Sequence, residues 1–143
     1  MATRLFPASQ QAAADSVVDR IDVGTTNATG RLLIYTGAQP AAGAAATGTL
    51  LVEILLVNPA YGAANTSGTA ALAGTPRSAA ATAAGTAGWF RVVNRDAGGV
   101  FDGSIRATAD ADTGQELVLD NTSIASGQTV NISSLSYTQP TSE

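Results

Sequence analysis

"GWFRVVNRDAGGVFDGSI", residues 88–105, carries the only Trp and two of the three Phe of a 143-residue chain. Its first half alternates Trp89, Arg91, Val93 and Arg95 against Phe90, Val92 and Asn94. "DAGG" is a turn built from residues that tolerate positive φ, and "VFDGSIRATA" returns as a partner strand. The stretch is a β-hairpin, and it sets the period-two pattern that the rest of the chain after residue 24 follows.

Working outward, "RLLIYT" (residues 31–36) reads as a strand. "GAQPAAGAAATG" reads as a loop of small residues that Pro40 and the glycines keep irregular. "GTLLVEILLV" is the strongest strand signal. Leu50, Val52, Ile54 and Leu56 line one face, and Leu51, Glu53, Leu55 and Val57 line a second face nearly as apolar. Such a strand is expected in the centre of a sandwich or against a neighbouring subunit. "TAALAGT" is a weaker strand, and "PRSAAATAAGTAG" is a loop or short strands. "QELVLDN" and "GQTVNISSLSYTQP" supply two more.

Before all of these, "SQQAAADSVVDRID" sets Ala14, Val17, Val18 and Ile21 at helical spacing opposite Asp15, Asp19 and Asp22. Ser9 is the expected N-cap, and Gly24 the terminator. The predicted fold class is therefore mainly β: an antiparallel β-sandwich or jelly-roll-like barrel preceded by one amphipathic helix. Residues 1–24 form an arm and helix, and residues 25–143 form the sandwich, a single domain overall. A chain of this length buries a sizeable core without staples.

Composition excludes much chemistry. There is no Cys and no His, and all seven basic residues are Arg. Thiolate nucleophiles, Ser-His pairs, imidazole or thiolate metal sites and lysine Schiff bases are all ruled out. No cofactor and no enzymatic activity are expected. A net charge of −4 without a basic run argues against nucleic acid as a partner. The longest apolar run is too short to span a bilayer and contains Glu53, and "MATRLFPASQQ" lacks a signal-peptide core. A soluble protein made in the cytoplasm is expected.

Ala, Thr and Gly dominate, and only 13% of residues are charged. A surface so poor in charge suggests coverage by partners, although a GC-rich coding sequence produces the same bias.

Four groups are weighed as sites. Asp110, Asp112 and Glu116 in "DADTGQE" offer oxygen ligands, but the spacing departs from a calcium loop at Gly114, and a solvated acidic turn is the plainer reading. Asp102 and Asp120 act as paired carboxylates only if the fold joins them. The sequons at Asn27, Asn65, Asn121 and Asn131 are what a Thr- and Ser-rich chain yields by chance. Trp89, Phe90 and Phe101 form either a stacking platform or an aromatic anchor for a core of small aliphatics, and the second accounts for their concentration in one hairpin. Catalytic, cofactor-binding and metal residues are all expected to be absent.

Taken in order, "AAADSVVDRID", "RLLIYTGAQP", "GTLLVEILLVNPAYGAA", "GTAGWFRVVNRDAGGVFDGSI" and "LVLDNTSIASGQTVNISSLSYTQP" resemble a family of small structural proteins of tailed bacteriophages and prophages. The resemblance runs from about Ala12 to Pro140, and "IYTGAQP" and "TAGWFRV…FDGS" are its most specific parts. It implies a virion component, plausibly a capsid decoration (cement) protein on the capsid exterior. The major capsid protein would be its partner, and a trimer or dimer its form. "RATADADTGQ" departs from the pattern, being longer and more acidic than the expected turn. The competing roles are a tail, neck or fibre-anchoring structural protein and a virion-surface glycan-binding module. The latter would leave Trp89 or Tyr61 exposed.

Overall fold

The computed structural model describes residues 3–110 and 117–140. Its centre is the hairpin. β5 (Gly85–Val93) and β6 (Gly99–Ala107) run antiparallel, with Trp89 opposite Ser104 and Arg91 opposite Asp102. The turn between them is held by Asn94, whose Oδ1 accepts the N–H groups of Asp96 at 3.0 Å and Gly98 at 2.8 Å. Ala97 takes φ 67° there.

β1 (Arg31–Thr36) pairs the free edge of β5, and β2 (Leu50–Leu55) pairs β1. β7 (Leu117–Leu119) adds to β6 in parallel, the one departure from antiparallel pairing along the sheet order β2-β1-β5-β6-β7. Two ribbons complete the β structure. β3 (Thr69–Ala71) pairs β10 (Ser136–Thr138), and β4 (Arg77–Ala80) pairs β9 (Thr129–Ile132), while β8 (Ser123–Ile124) joins the start of β5. Contacts of β2 with β4 and of β7 with β9 curl the sheet round on itself. The fold is mainly β with one N-terminal helix, in the sandwich or barrel-like class.

Three register shifts promote the curl, because an extra residue on one strand sharpens its twist. They skip Leu51 on β2, Gly88 on β5 and Val100 on β6. The bulge at Leu51 decides a reading that alternation alone gets wrong. It turns both Leu51 and Val52 inward, so Glu53 and Leu55 face solvent and only one face of β2 is apolar. Nor is β2 central, since it is the terminal strand of its sheet. Its outer edge is closed by polar bonds: Leu51 O accepts the Thr82 N–H at 2.8 Å, and Leu55 O accepts Arg77 Nε at 3.0 Å and Nη2 at 2.7 Å.

The sheet's inner face presents Leu32, Ile34, Val52, Ile54, Phe90 and Val92 to a core shared with Leu117, Ile132 and the helix residues Ala14, Val18 and Ile21. The helix α1 (Pro7–Asp19) starts three residues earlier than expected and is not capped by Ser9. Phe6 is the N-cap, without a side-chain bond. Pro7 supplies the start, since its fixed φ suits the first turn and its missing N–H would have been unpaired anyway. A 3-10 turn at Arg20–Asp22 carries the chain to Val23, and Gly24, at φ +127°, lies just beyond the helical end.

Asp15 and Asp22, expected on the solvent side, are half-buried and functional in folding. Asp15 Oδ1 accepts the Ala64 N–H at 2.6 Å, and both Asp22 oxygens accept the Ala60 N–H at 3.1 Å. They pin the loop that follows β2 to the helix. The single expected strand across "GQTVNISSLSYTQP" divides into β9 and β10, which pair different partners.

Tyr61 sits in this core with its hydroxyl buried and unpartnered, and burial pushes its phenol pKa up. Tyr61→Phe is expected to raise stability by about 1 kcal/mol, because an unsatisfied buried hydroxyl costs about that much. The unfolded phenol titrates near its ordinary value of 10.0, below the raised native value. The native preference for neutral Tyr61 is thus fully present below pH 10 and lost as pH rises beyond it. Thermal melts at neutral pH and above pH 10 should show a shallower alkaline loss in Tyr61→Phe, with Tyr137, also raised by burial, contributing what remains.

Candidate functional site

The chemistry-bearing side chains gather on the outer face of the sheet. Because β1 and β5 are in register with Tyr35 opposite Trp89 and Leu33 opposite Arg91, the odd-numbered residues from Arg31 to Tyr35 and from Trp89 to Val93 share that face. Tyr35 stacks on Trp89 at 4.7 Å with the rings 13° apart, and the Arg91 guanidinium lies 5.3 Å from the Trp89 ring. Trp89 is fully buried, yet outside the main core.

The loop of residues 37–48 approaches this face closely. A Cβ on Gly88 would collide with the Gly37 carbonyl, so only glycine admits that approach. Farther along the loop, Ala44 O accepts Arg91 Nη2 at 2.8 Å.

Arg91 is also bonded bidentately to Asp102, Nε to Oδ1 at 2.7 Å and Nη2 to Oδ2 at 2.8 Å. The two side chains are only 15% and 10% exposed. The Asp102 hydrogen bond holds the guanidinium charged, above its ordinary pKa, against the opposing effect of burial. A groove of about 520 Å³ lies between this pair and the loop, bordered by Gln39, Ala44, Val100 and Phe101.

On the inner face Phe101 packs against Phe90, Tyr61 and Tyr137, with ring centroids 6.2, 6.4 and 5.0 Å apart. A second cavity, of about 210 Å³, opens there beside Ser136, Tyr137 and Pro140. The three aromatics of the hairpin are therefore divided. Phe90 and Phe101 serve the inner side, and Trp89 anchors a separate outer cluster. None forms an exposed platform, and with Trp89 0% and Tyr61 5% exposed the glycan-binding module loses the rings it required.

The other candidates disperse. β6–β7 register sets Leu119 beside Ala107, so Asp120 falls level with Thr108, six residues along from Asp102. At about 3.3 Å per residue that is roughly 20 Å, and the two carboxylates are not paired. Asp110 turns back to accept the Ala107 N–H at 3.0 Å, while Asp112, Gly114 and Glu116 lie outside the described residues. Asn27 donates to Arg95 O at 2.7 Å, and Asn65 accepts the N–H groups of Ser67 and Thr69, so both are engaged in turns. Asn121 accepts from the Ser123 N–H, and Asn131 lies on β9.

Asp96 accepts the Thr25 and Thr26 N–H groups, which hold its carboxyl below the usual range. Among the described residues no group of three carboxylates comes together, and no helix is long and apolar enough to cross a membrane. Among the described residues four large apolar side chains are exposed: Phe6 at 80% and Leu5 at 46%, side by side on the arm ahead of the helix, and Val23 at 58% and Leu55 at 56%. Comparison with family models, with curated proteins and with solved structures finds no match in any of the three.

Proposed function

We propose that this chain is a non-enzymatic structural protein that works by contact, and that its place is the outside of a bacteriophage head. There it is a capsid decoration (cement) protein bridging major capsid subunits as a small oligomer. The observation that carries the contact reading is the arm, whose Leu5 and Phe6 are exposed while the rings of the body are buried or half-buried. Isolated apolar side chains at a surface are ordinary, but an aromatic and a leucine side by side on an extended lead-in are the form of a docking element.

The polar groups support the same reading. Arg91, Asp102, Asp15, Asp22 and Asp96 are all engaged in bonds that hold loops or strands. The placement on a phage head comes from the resemblance of the hairpin and its flanking strands. A shell binds each copy through many symmetry-repeated contacts, so modest affinity per copy suffices.

Heads assembled without the protein are expected to form but rupture at lower temperature, and added protein to rebind and restore them. Quantifying its copy number against the major capsid protein in purified virions checks the location. Hundreds of copies per particle fit a cement protein. A handful confined to the neck or tail would exclude that role and leave the tail-structural one.

A further inference from the structure

We infer that the open edge of β6 receives the N-terminal arm of a second copy of this chain as an added strand. β5 occupies one edge of β6 from Gly99 to Ser104, whereas β7 covers the opposite edge only at residues 105–107. No described strand pairs residues 99–104 on that side. The far end of the same sheet is treated differently, since Arg77 and Thr82 consume the edge carbonyls of β2. Unpaired edges invite pairing with another chain, and proteins ordinarily block them.

An added strand needs room on both sides of the edge, because its successive side chains point to opposite faces. β6 has both. The outer groove of about 520 Å³ and the inner cavity of about 210 Å³ lie on opposite faces of the hairpin, and both border Phe101 and Asp102.

The occupant is on the same chain. The arm is extended where it meets the helix, with Phe6 at φ −69°, ψ 156°. Phe6 O accepts the Ser9 and Gln10 N–H groups, and Gln10 Nε2 donates to Leu5 O at 3.3 Å, so the arm's root is fixed by its own helix while its apolar side chains stay in solvent. Leu5 and Phe6 are adjacent, so an extended arm delivers one to each face. Leu5 fits the smaller inner cavity beside Phe90 and Tyr137. Phe6 then shares the larger outer groove with Arg4, near the Asp102 carboxylate and within reach of the Arg91 guanidinium.

The arm of one copy on the edge of the next is a heterologous contact, which closes into a dimer when reciprocal or into a small ring. This deepens the self-association in the reading above and rests on that reading for nothing else.

The chain has no Cys, so single-cysteine variants are clean reporters. Leu5→Cys mixed with Ser136→Cys under mild oxidation is expected to give a disulfide between two chains. Its yield should be roughly tenfold above Leu5→Cys mixed with Ser126→Cys, as docking raises local concentration. Sedimentation should find wild type oligomeric, and Leu5→Asp/Phe6→Asp monomeric with an unchanged circular dichroism spectrum. Three results would overturn the inference: a wild type monomeric throughout the micromolar range, oligomers that persist in the arm variant, or an intrachain disulfide in dilute Leu5→Cys/Ser136→Cys. Arm exchange without head binding would sink the cement role alone, and head binding by an arm variant that remains oligomeric would sink arm exchange alone.

Discussion

Trp89→Ala is expected to cost about 3–5 kcal/mol, the range for deleting a fully buried large ring. The ring has no exposed surface, stacks on Tyr35 at 4.7 Å and carries the Arg91 guanidinium near its other contacts. Its indole N–H has no hydrogen-bond partner among the described residues, so the loss is one of packing and not of a bond. For a domain of this size the melting temperature should fall by about 10–15 °C. Calorimetry or denaturant titration of the isolated protein checks this. A variant that melts like wild type would mean that the outer cluster adds nothing to the folded monomer.

Asp102→Ala is expected to cost about 2–3 kcal/mol by a different route. It strands a guanidinium whose side chain is only 15% exposed, and removing one partner of a largely buried, bidentate pair leaves the other charge short of its hydrogen bonds. Arg91 also donates to Ala44 O, so its displacement should loosen the covering loop and shift the emission of the sole Trp to longer wavelength. Asp102→Asn, which keeps the shape and an acceptor, should lose less. Because Arg91 contacts both Trp89 and Asp102, the double variant Trp89→Ala/Asp102→Ala should lose less than the two losses added together. Strict additivity would mean that the stack and the ion pair are independent.

Much of the local structure was legible. "RLLIYT" forms β1 with the expected bounds, and the hairpin turns where Asn94, Asp96 and the glycines place it. Ala14, Val18 and Ile21 face the core as their helical spacing requires. These features depend on side chains acting within a few residues of one another, where period and turn chemistry are sufficient. The cap was misplaced because Pro7 competes with Ser9 for the first turn. The two-faced reading of β2 failed because a bulge at Leu51 breaks the alternation on which it depended.

The site was legible only in its residues. Trp89 and Phe90 are neighbours in sequence, and alternation sends them to opposite faces, but nothing local says that the outer face would be covered too. That depends on a loop of small residues returning over Gly88 and on a carbonyl at Ala44 meeting Arg91 across 47 positions. The same holds for Asp102 and Asp120, close in sequence but separated along a parallel strand pair.

By itself the sequence determined a β-rich chain with an amphipathic lead-in and a central hairpin, because backbone periodicity and turn preference are properties of short segments. Only the tertiary structure decided where a bulge breaks the alternation, which aromatic leaves the core, and which of the described apolar residues remain in solvent. Those outcomes depend on which distant segments compete for the same surface, and that competition is settled only when the whole chain packs.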